Sequence, residues 1–312
     1  MFCLLWIRMH DASYMDRKIA TNSFAAWILA SRPKTLAAAA APVGVACALA
    51  YSCGFFSLAP ALLCLLFAVV MQVDANFIND LFDCLKGGDR EGRLGPDRAC
   101  AKGWITPGAM GRAIACTTAA ACLVGCAILF YGDLRLVAVG VLCVVFAFLY
   151  TAGPYPLSYN AGGDVLVLVF FGVVPVCCTY YVMAGSVSLA AVVSGLACGF
   201  AVDSLLVVNN FRDMRQDAAN GKRTLVVLLG ARGGAALYLA TGGAAWLLSF
   251  AFMLLGKPCV PLFACVYFAA HVGAWRNMRK IGEGRGLNRV LAETSRNILI
   301  FAASMSAGFI LG

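Results

Sequence analysis

Nine apolar stretches, each near the length of a membrane crossing, constrain this chain more than any other feature. They run at about 35–53, 58–79, 109–131, 134–151, 164–184, 187–209, 234–255, 259–275 and 295–312. A helix needs roughly 20 predominantly apolar residues to cross the hydrocarbon core of a bilayer, where backbone groups must bond one another. Short links such as Ser52–Ser57, Gly132–Asp133 and Ala184–Ser188 join neighbouring stretches as hairpins. Of the 312 residues, 62% are hydrophobic and 12% charged, whereas a soluble domain carries about a quarter charged residues. The expected fold is an all-α membrane protein, a bundle of nine transmembrane helices with polar cap loops. Residues 1–23 read as an N-terminal tail and 24–312 as one membrane domain.

The distribution of positive charge orients such a bundle. The net charge is +9, and with alternating sides 22 of the 24 Lys and Arg residues fall on one face. They sit in the tail (Arg8, Arg17, Lys18, Arg32, Lys34) and in loops near 80–112, 211–233 and 276–296; Arg135 and Lys257 fall opposite. By the positive-inside rule the tail and long loops are cytoplasmic and the C-terminus lies outside, in a multi-pass protein of the cell (inner) membrane. The basic residues are not interleaved with aromatic ones as single-stranded nucleic acid requires, so no nucleic acid partner is expected. No obligate protein partner is indicated either.

Fifteen Cys are scattered without a CxxC pair, and the histidines are His10 and His271. Zinc sites and disulfide frameworks need clustered ligands, so Cys122, Cys126, Cys143, Cys177, Cys178 and Cys198 read as small hydrophobes. His271 reads as a helix-packing residue. The apolar part of Met1–His10 is too short for a signal peptide core.

Two acidic constellations remain at the ends of apolar stretches. Gln72, Asn76, Asn79, Asp80 and Asp83 are spaced to share one helical face, as are Asn209, Asp213 and Asp217 with Asn210 beside them. Both fall on the cytoplasmic side, so they can face each other. Charge inside a membrane is expensive and persists with a task or a partner. Paired carboxylates with amides suit Mg²⁺, which binds through one or two carboxylates plus substrate phosphate oxygens. Interleaved Lys86, Arg90, Arg93, Lys102, Arg212, Lys222 and Arg223 could grip the same diphosphate. Acids alone would repel a diphosphate; acids, metal and cations together bind it. A solvated helix end laced with ion pairs, or a cation-coupled transporter path, is the competing reading of the same residues. The transporter reading expects inverted internal repeats, and the two motifs echo each other only loosely.

At these residues the chain resembles the UbiA superfamily of intramembrane aromatic prenyltransferases. The matching strings come in order: RPKTL at Arg32–Leu36, ANFINDLFDCLKGGDREGRLGP at Ala75–Pro96, and KGWIT at Lys102–Thr106. YTAGPYPLSY at Tyr150–Tyr159, GDVLVLVFFG at Gly163–Gly172 and NNFRDMRQDAANGKRTLVVLLG at Asn209–Gly230 follow. The superfamily pattern NDxxDxxxD would place an acid where Gly87 stands, with Asp89 two positions later. That shift looks like the branch acting on 1,4-dihydroxy-2-naphthoate rather than the 4-hydroxybenzoate branch, which stays as the alternative.

The resemblance implies nine transmembrane helices around a cavity, with an all-trans polyprenyl diphosphate donor, a 1,4-dihydroxy-2-naphthoate acceptor, and demethylmenaquinol (or its quinone), pyrophosphate and CO2 as products. It implies Mg²⁺ held by Asp80, Asp83, Asp213 and Asp217, with Asn76, Asn79, Asn209 and Asn210 nearby. Lys86, Arg93, Lys102, Arg212 and Lys222 would bind phosphate. Tyr150 or Tyr155 would face the allyl cation, or belong to an interfacial aromatic belt. Lys34 or Arg32 would hold the acceptor carboxylate, a pair that equally suits snorkelling at a helix start. Asp164 and Asp203 lie in or beside apolar runs without an assigned role.

Overall fold

The computed structural model describes residues 19–87, 93–153 and 156–312. Arg8, His10, Arg17, Lys18, Asp89, Arg90 and Tyr155 lie outside the described residues. The regular elements are helices: α1 (Phe24–Ser31), α2 (Leu36–Ser52), α3 (Leu58–Leu85), α4 (Pro107–Ile128), α5 (Arg135–Thr151) and α6 (Gly162–Leu168). After them come α7 (Val174–Ala184), α8 (Leu189–Ala219), α9 (Leu225–Ser249), α10 (Ala251–Leu254), α11 (Cys259–Ile281) and α12 (Leu287–Leu311).

Among the described residues, counting helices that continue through a bend, eight are long and apolar enough to cross a membrane, and α5 is apolar but shorter at 17 residues. Its rise of about 26 Å falls short of a hydrocarbon core of roughly 30 Å. The nine expected crossings therefore become eight full-length helices and one short one. Several helices also outrun their apolar stretches. α12 starts at Leu287 rather than near 295, so Arg289 and Arg296 are helical, not loop, residues. Hydropathy marks where lipid begins, whereas backbone hydrogen bonding continues past that boundary.

This overshoot positions the site. The 28 residues of α3 and 31 of α8 span about 42 and 46 Å. Each exceeds the hydrocarbon core by more than 10 Å, and the excess carries the acids and amides. α3 stops at Lys86, with Gly87 (φ 67°) in the left-handed region. A glycine is favoured at this position after a helix, which accounts for the missing acid of the motif.

Two irregularities matter. Between α1 and α2, Arg32 takes a left-handed conformation (φ 49°, ψ 67°) ahead of a 3-10 turn at Pro33–Thr35. Proline disfavours the α region in the residue before it, so the helix breaks here. Asn76 Nδ2 donates to Ser31 O (2.9 Å) and Thr35 Oγ1 (3.0 Å), and Gln72 Nε2 to Thr35 Oγ1 (3.3 Å), pinning the break to α3. Ser295 Oγ donates to Lys34 O (2.8 Å), pinning it to α12. Elsewhere a π-helical turn, Val169–Val173, joins α6 to α7 just before Pro175, whose missing N–H favours such a wide turn. This turn crosses α8 at backbone contact: a Cβ on Gly172 would lie 2.4 Å from Gly199 Cα. Small residues allow this close approach, which substitutes for hydrophobic driving force in lipid.

Candidate functional site

A cavity of about 1250 Å³ opens between these helices, larger than the roughly 300–1,000 Å³ of an ordinary small-molecule pocket. Its upper wall carries Asn79, Asp83, Asn209, Asp213 and Asp217; its lower wall is apolar and runs past Phe67, Gly140 and Val144 to Leu129, Leu136 and Val182. The two polar helix ends, about 130 residues apart in sequence, thus look onto one space.

On α3, Asp83 pairs with Arg98, and its Oδ1 is buried without a hydrogen-bond partner. Arg98 NH1 also donates to Asn79 O at 2.7 Å, and Asn79 Oδ1 accepts from Thr151 Oγ1. On α8, the buried Arg212 makes four hydrogen bonds to three neighbours. Its Nε donates to Asp213 Oδ1 (2.8 Å), NH2 to Asp213 Oδ2 (2.5 Å) and Asn209 Oδ1 (2.8 Å), and NH1 to Asn288 Oδ1 (2.9 Å). Asp217 pairs with Lys222 at 3.2 Å. Tyr159 closes this corner, with Lys222 Nζ 4.9 Å and Lys86 Nζ 5.3 Å from its ring centre. Burial first, and then the Asp83 carboxylate, push the Tyr159 phenol above its ordinary range. Among the described residues the cavity wall holds seven cations (Arg32, Lys34, Arg93, Arg98, Arg212, Lys222, Arg296) against three carboxylates, so it favours anions.

The sequence profile of the UbiA prenyltransferase family matches residues 24–290. The chain belongs to that family. It is 40% identical over 214 residues to 1,4-dihydroxy-2-naphthoate octaprenyltransferase of Escherichia coli, covering 66% of this chain and 68% of that protein. It is 34% identical over 291 residues to the protein of the same name in Mycobacterium tuberculosis, covering 93% and 98%. Among solved structures, a UbiA homolog from Archaeoglobus fulgidus bound to GPP and Mg²⁺ aligns with TM-score 0.67 at 16% identity over 92% of this chain and 100% of that one. The apo UbiA homolog from Aeropyrum pernix gives TM-score 0.65 at 18% identity, over 87% and 97%. This chain is a multi-pass membrane prenyltransferase of the UbiA family.

Within this UbiA-family cavity, Asn79, Asp83, Arg93, Tyr150, Asn209, Asn210, Arg212, Asp213, Asp217, Lys222 and Lys34 are on the wall. Four other expected residues are placed elsewhere. Asp80 faces the loop, where its oxygens accept from Ala99 N–H and Cys100 N–H, both at 2.9 Å. Asn76 is spent on the Arg32 break. Lys86 donates to Thr151 O at 2.6 Å, and Lys102 pairs with Asp97 at 3.3 Å. Asp164 and Asp203 are buried off the wall, each with Oδ1 unpartnered. His271 is packed, its Nε2 donating to Tyr238 O at 2.8 Å.

Arg98, Asn288 and Arg296 are wall residues that the sequence reading did not single out. Arg98 stands between the strings Ala75–Pro96 and Lys102–Thr106, in a loop that gives no helical period to assign it a face. Asn288 is hidden by a start of α12 ahead of the apolar stretch, and Arg296 stands in that stretch's first turn, where a basic residue reads as loop charge.

The donor set fits a divalent cation completed by substrate. Among the described residues no three His, Cys, Asp or Glu side chains converge to enclose a metal by themselves. The unpartnered Asp83 Oδ1 on a wall shared with Asp213 and Asp217 instead matches Mg²⁺, which keeps positions for phosphate oxygens and water.

Proposed function

We propose that this enzyme transfers a polyprenyl chain from polyprenyl diphosphate to 1,4-dihydroxy-2-naphthoate, releasing pyrophosphate and CO2 and leaving demethylmenaquinol. The metal is Mg²⁺, and the polar cap faces the cytoplasm across the cell (inner) membrane. The observation carrying this reading is the unpartnered Asp83 oxygen beside Arg98, facing the Arg212–Asp213 and Lys222–Asp217 pairs at the top of an apolar cavity. An amphiphile with an anionic head and a long hydrocarbon tail suits that shape. The names of the relatives in E. coli and M. tuberculosis supply the acceptor and donor.

Asp83, Asp213 and Asp217 would hold Mg²⁺, with Asn79 and Asn209 adjacent. Bound with the diphosphate, the metal supplies Lewis-acid neutralisation of leaving-group charge. Arg93, Arg98, Arg212 and Lys222 donate to phosphate oxygens as the C–O bond breaks and pyrophosphate takes the electron pair. Arg212 is already fixed by three neighbours, so it stabilises that charge with little reorganisation. Asp80 acts at one remove, holding the Ala99–Cys100 turn that carries Arg98. The apolar wall keeps water from the cationic allyl carbon, and Tyr150 offers a ring face to it. The electron-rich acceptor ring attacks that carbon; the new C–C bond forms at the carboxylate-bearing position, and the carboxylate departs as CO2. Lys34 or Arg32 holds the carboxylate beforehand.

The test is to incubate membranes containing the protein with labelled prenyl diphosphate and each acceptor. With dihydroxynaphthoate, one pyrophosphate and one CO2 are expected per prenylated ring, all dependent on Mg²⁺. Preferential prenylation of 4-hydroxybenzoate would replace the acceptor assignment. Cation flux without pyrophosphate release would remove the enzyme reading.

A further inference from the structure

The charges on the cavity wall are unevenly matched. Each of its carboxylates already has a cation: Asp83 with Arg98, Asp213 with Arg212, Asp217 with Lys222. Lys34 and Arg296 form no ion pair among the described residues. The one hydrogen bond of the Arg296 side chain there is a 3.5 Å contact to Asn297 Oδ1.

Both lie in one seam. Ser295 Oγ donates to Lys34 O at 2.8 Å, so the Arg296 turn of α12 abuts the broken start of α2. Arg32 holds a left-handed backbone there, a strained conformation kept where surroundings enforce it. Gln72, Asn76 and Ser295 do so, fixing where Lys34 emerges.

Depth separates this pair from the diphosphate cap. Asn288, which holds Arg212, and Arg296 share a cavity face of α12, and eight residues amount to about 12 Å of helix. Arg296 is thus inside a membrane-crossing helix, where an uncompensated cation is costly and marks a function. Long helical side chains lean toward the N-terminal end, here the cap side, which brings the guanidinium toward the level where the prenyl carbon must sit.

We propose that Arg296, with Lys34 across the seam, is a second anion site that takes the carboxylate of the aromatic acceptor and sets acceptor specificity. This rests on the prenyl-transfer reading above. The guanidinium presents paired donors to a carboxylate, and a weakly hydrated cation at that depth recovers in the complex what it lost in leaving water. Release of CO2 then vacates the site and lets the uncharged product leave into lipid.

Wild type, R296Q and R296K are compared in membranes, using dihydroxynaphthoate and 1,4-dihydroxynaphthalene, which lacks the carboxylate and loses a ring proton instead. Failure of wild type to prenylate dihydroxynaphthoate would end the parent reading, independently of Arg296. Given that activity, R296Q should raise KM for dihydroxynaphthoate about tenfold or more and leave KM for prenyl diphosphate unchanged. R296K should recover part of the loss, and the preference of kcat/KM for the carboxylated acceptor should collapse in R296Q. Equal losses on both acceptors, or a raised donor KM, would overturn the proposal. So would a wild-type rate in nanodiscs that depends on anionic lipid while R296Q does not, since Arg296 would then be holding a lipid phosphate.

Discussion

Asp80 and Asp83 stand three residues apart on α3 yet are used differently. Asp80 is saturated by two backbone N–H groups, while Asp83 keeps an unpartnered oxygen toward the cavity. D83N should therefore lower kcat by about 10²-fold or more and raise the Mg²⁺ concentration for half-maximal rate, with the protein still recovered in membranes. D213N should behave alike. D80N should lose about tenfold through the disturbed turn without changing the Mg²⁺ requirement; a Mg²⁺ titration of all three separates the roles. Gly95 gives a second test. A Cβ there would lie 2.5 Å from Arg212 NH2 and 2.9 Å from Cζ. Arg212 cannot yield without losing bonds to Asn209, Asp213 or Asn288. G95A should then raise KM for prenyl diphosphate by about tenfold, since one charge-assisted bond is worth about 1.5–3 kcal/mol, while melting temperature stays within a few degrees.

At the scale of elements, the site depends on how α8 is set against its neighbours. The crossing with the π turn leaves no room for side chains: a Cβ on Gly199 would meet Leu168 O at 2.7 Å and Leu168 Cδ1 at 2.7 Å. G199V must push α6 off α8 and shift Asn209 and Asp213, about three and four turns further along α8. It should lower the melting temperature in detergent, since overpacking costs about 1–3 kcal/mol, and reduce activity beyond the loss of folded protein. Size-exclusion profiles beside specific activity check this. The helices and acid faces were legible because lipid imposes length and period 3.6 on sequence, and the spacing Asn209, Asp213, Asp217 expresses it directly. The pairing of α6 and α8 was not, because glycine contacts carry no hydropathy. Nor was the role of Asp80: it differs from Asp83 by rotation about the helix, which matters only once the turn at Ala99–Cys100 packs there. The first turns of α12 were not legible either, because Arg289 and Glu293 keep the apolar stretch from starting before about 295 while the helix begins at Leu287.

For the whole molecule, the division between a cationic cap and an apolar cavity reaching Leu136 and Val182 means that head and tail of the donor are read in different places. The cap fixes the diphosphate, so the length of tail accepted depends on the space below it. The short α5 forms much of that lower wall, and among its described residues only Thr151 is buried, so the rest of it borders the cavity or the lipid. Gly140 lies on the wall, and a Cβ there would meet nothing within 4 Å. It is ten residues before Tyr150 on α5, about 15 Å deeper. G140F therefore places a ring in the tunnel without straining the helix against a neighbour. In a mixture of prenyl diphosphates, with products weighed by mass spectrometry, the variant should shift toward short tails. kcat/KM for geranyl diphosphate should stay near wild type, because the cap and the upper cavity are untouched. An unchanged distribution of tail lengths would mean that the chain leaves the cavity above Gly140, and the lower apolar space would then have no part in choosing the donor.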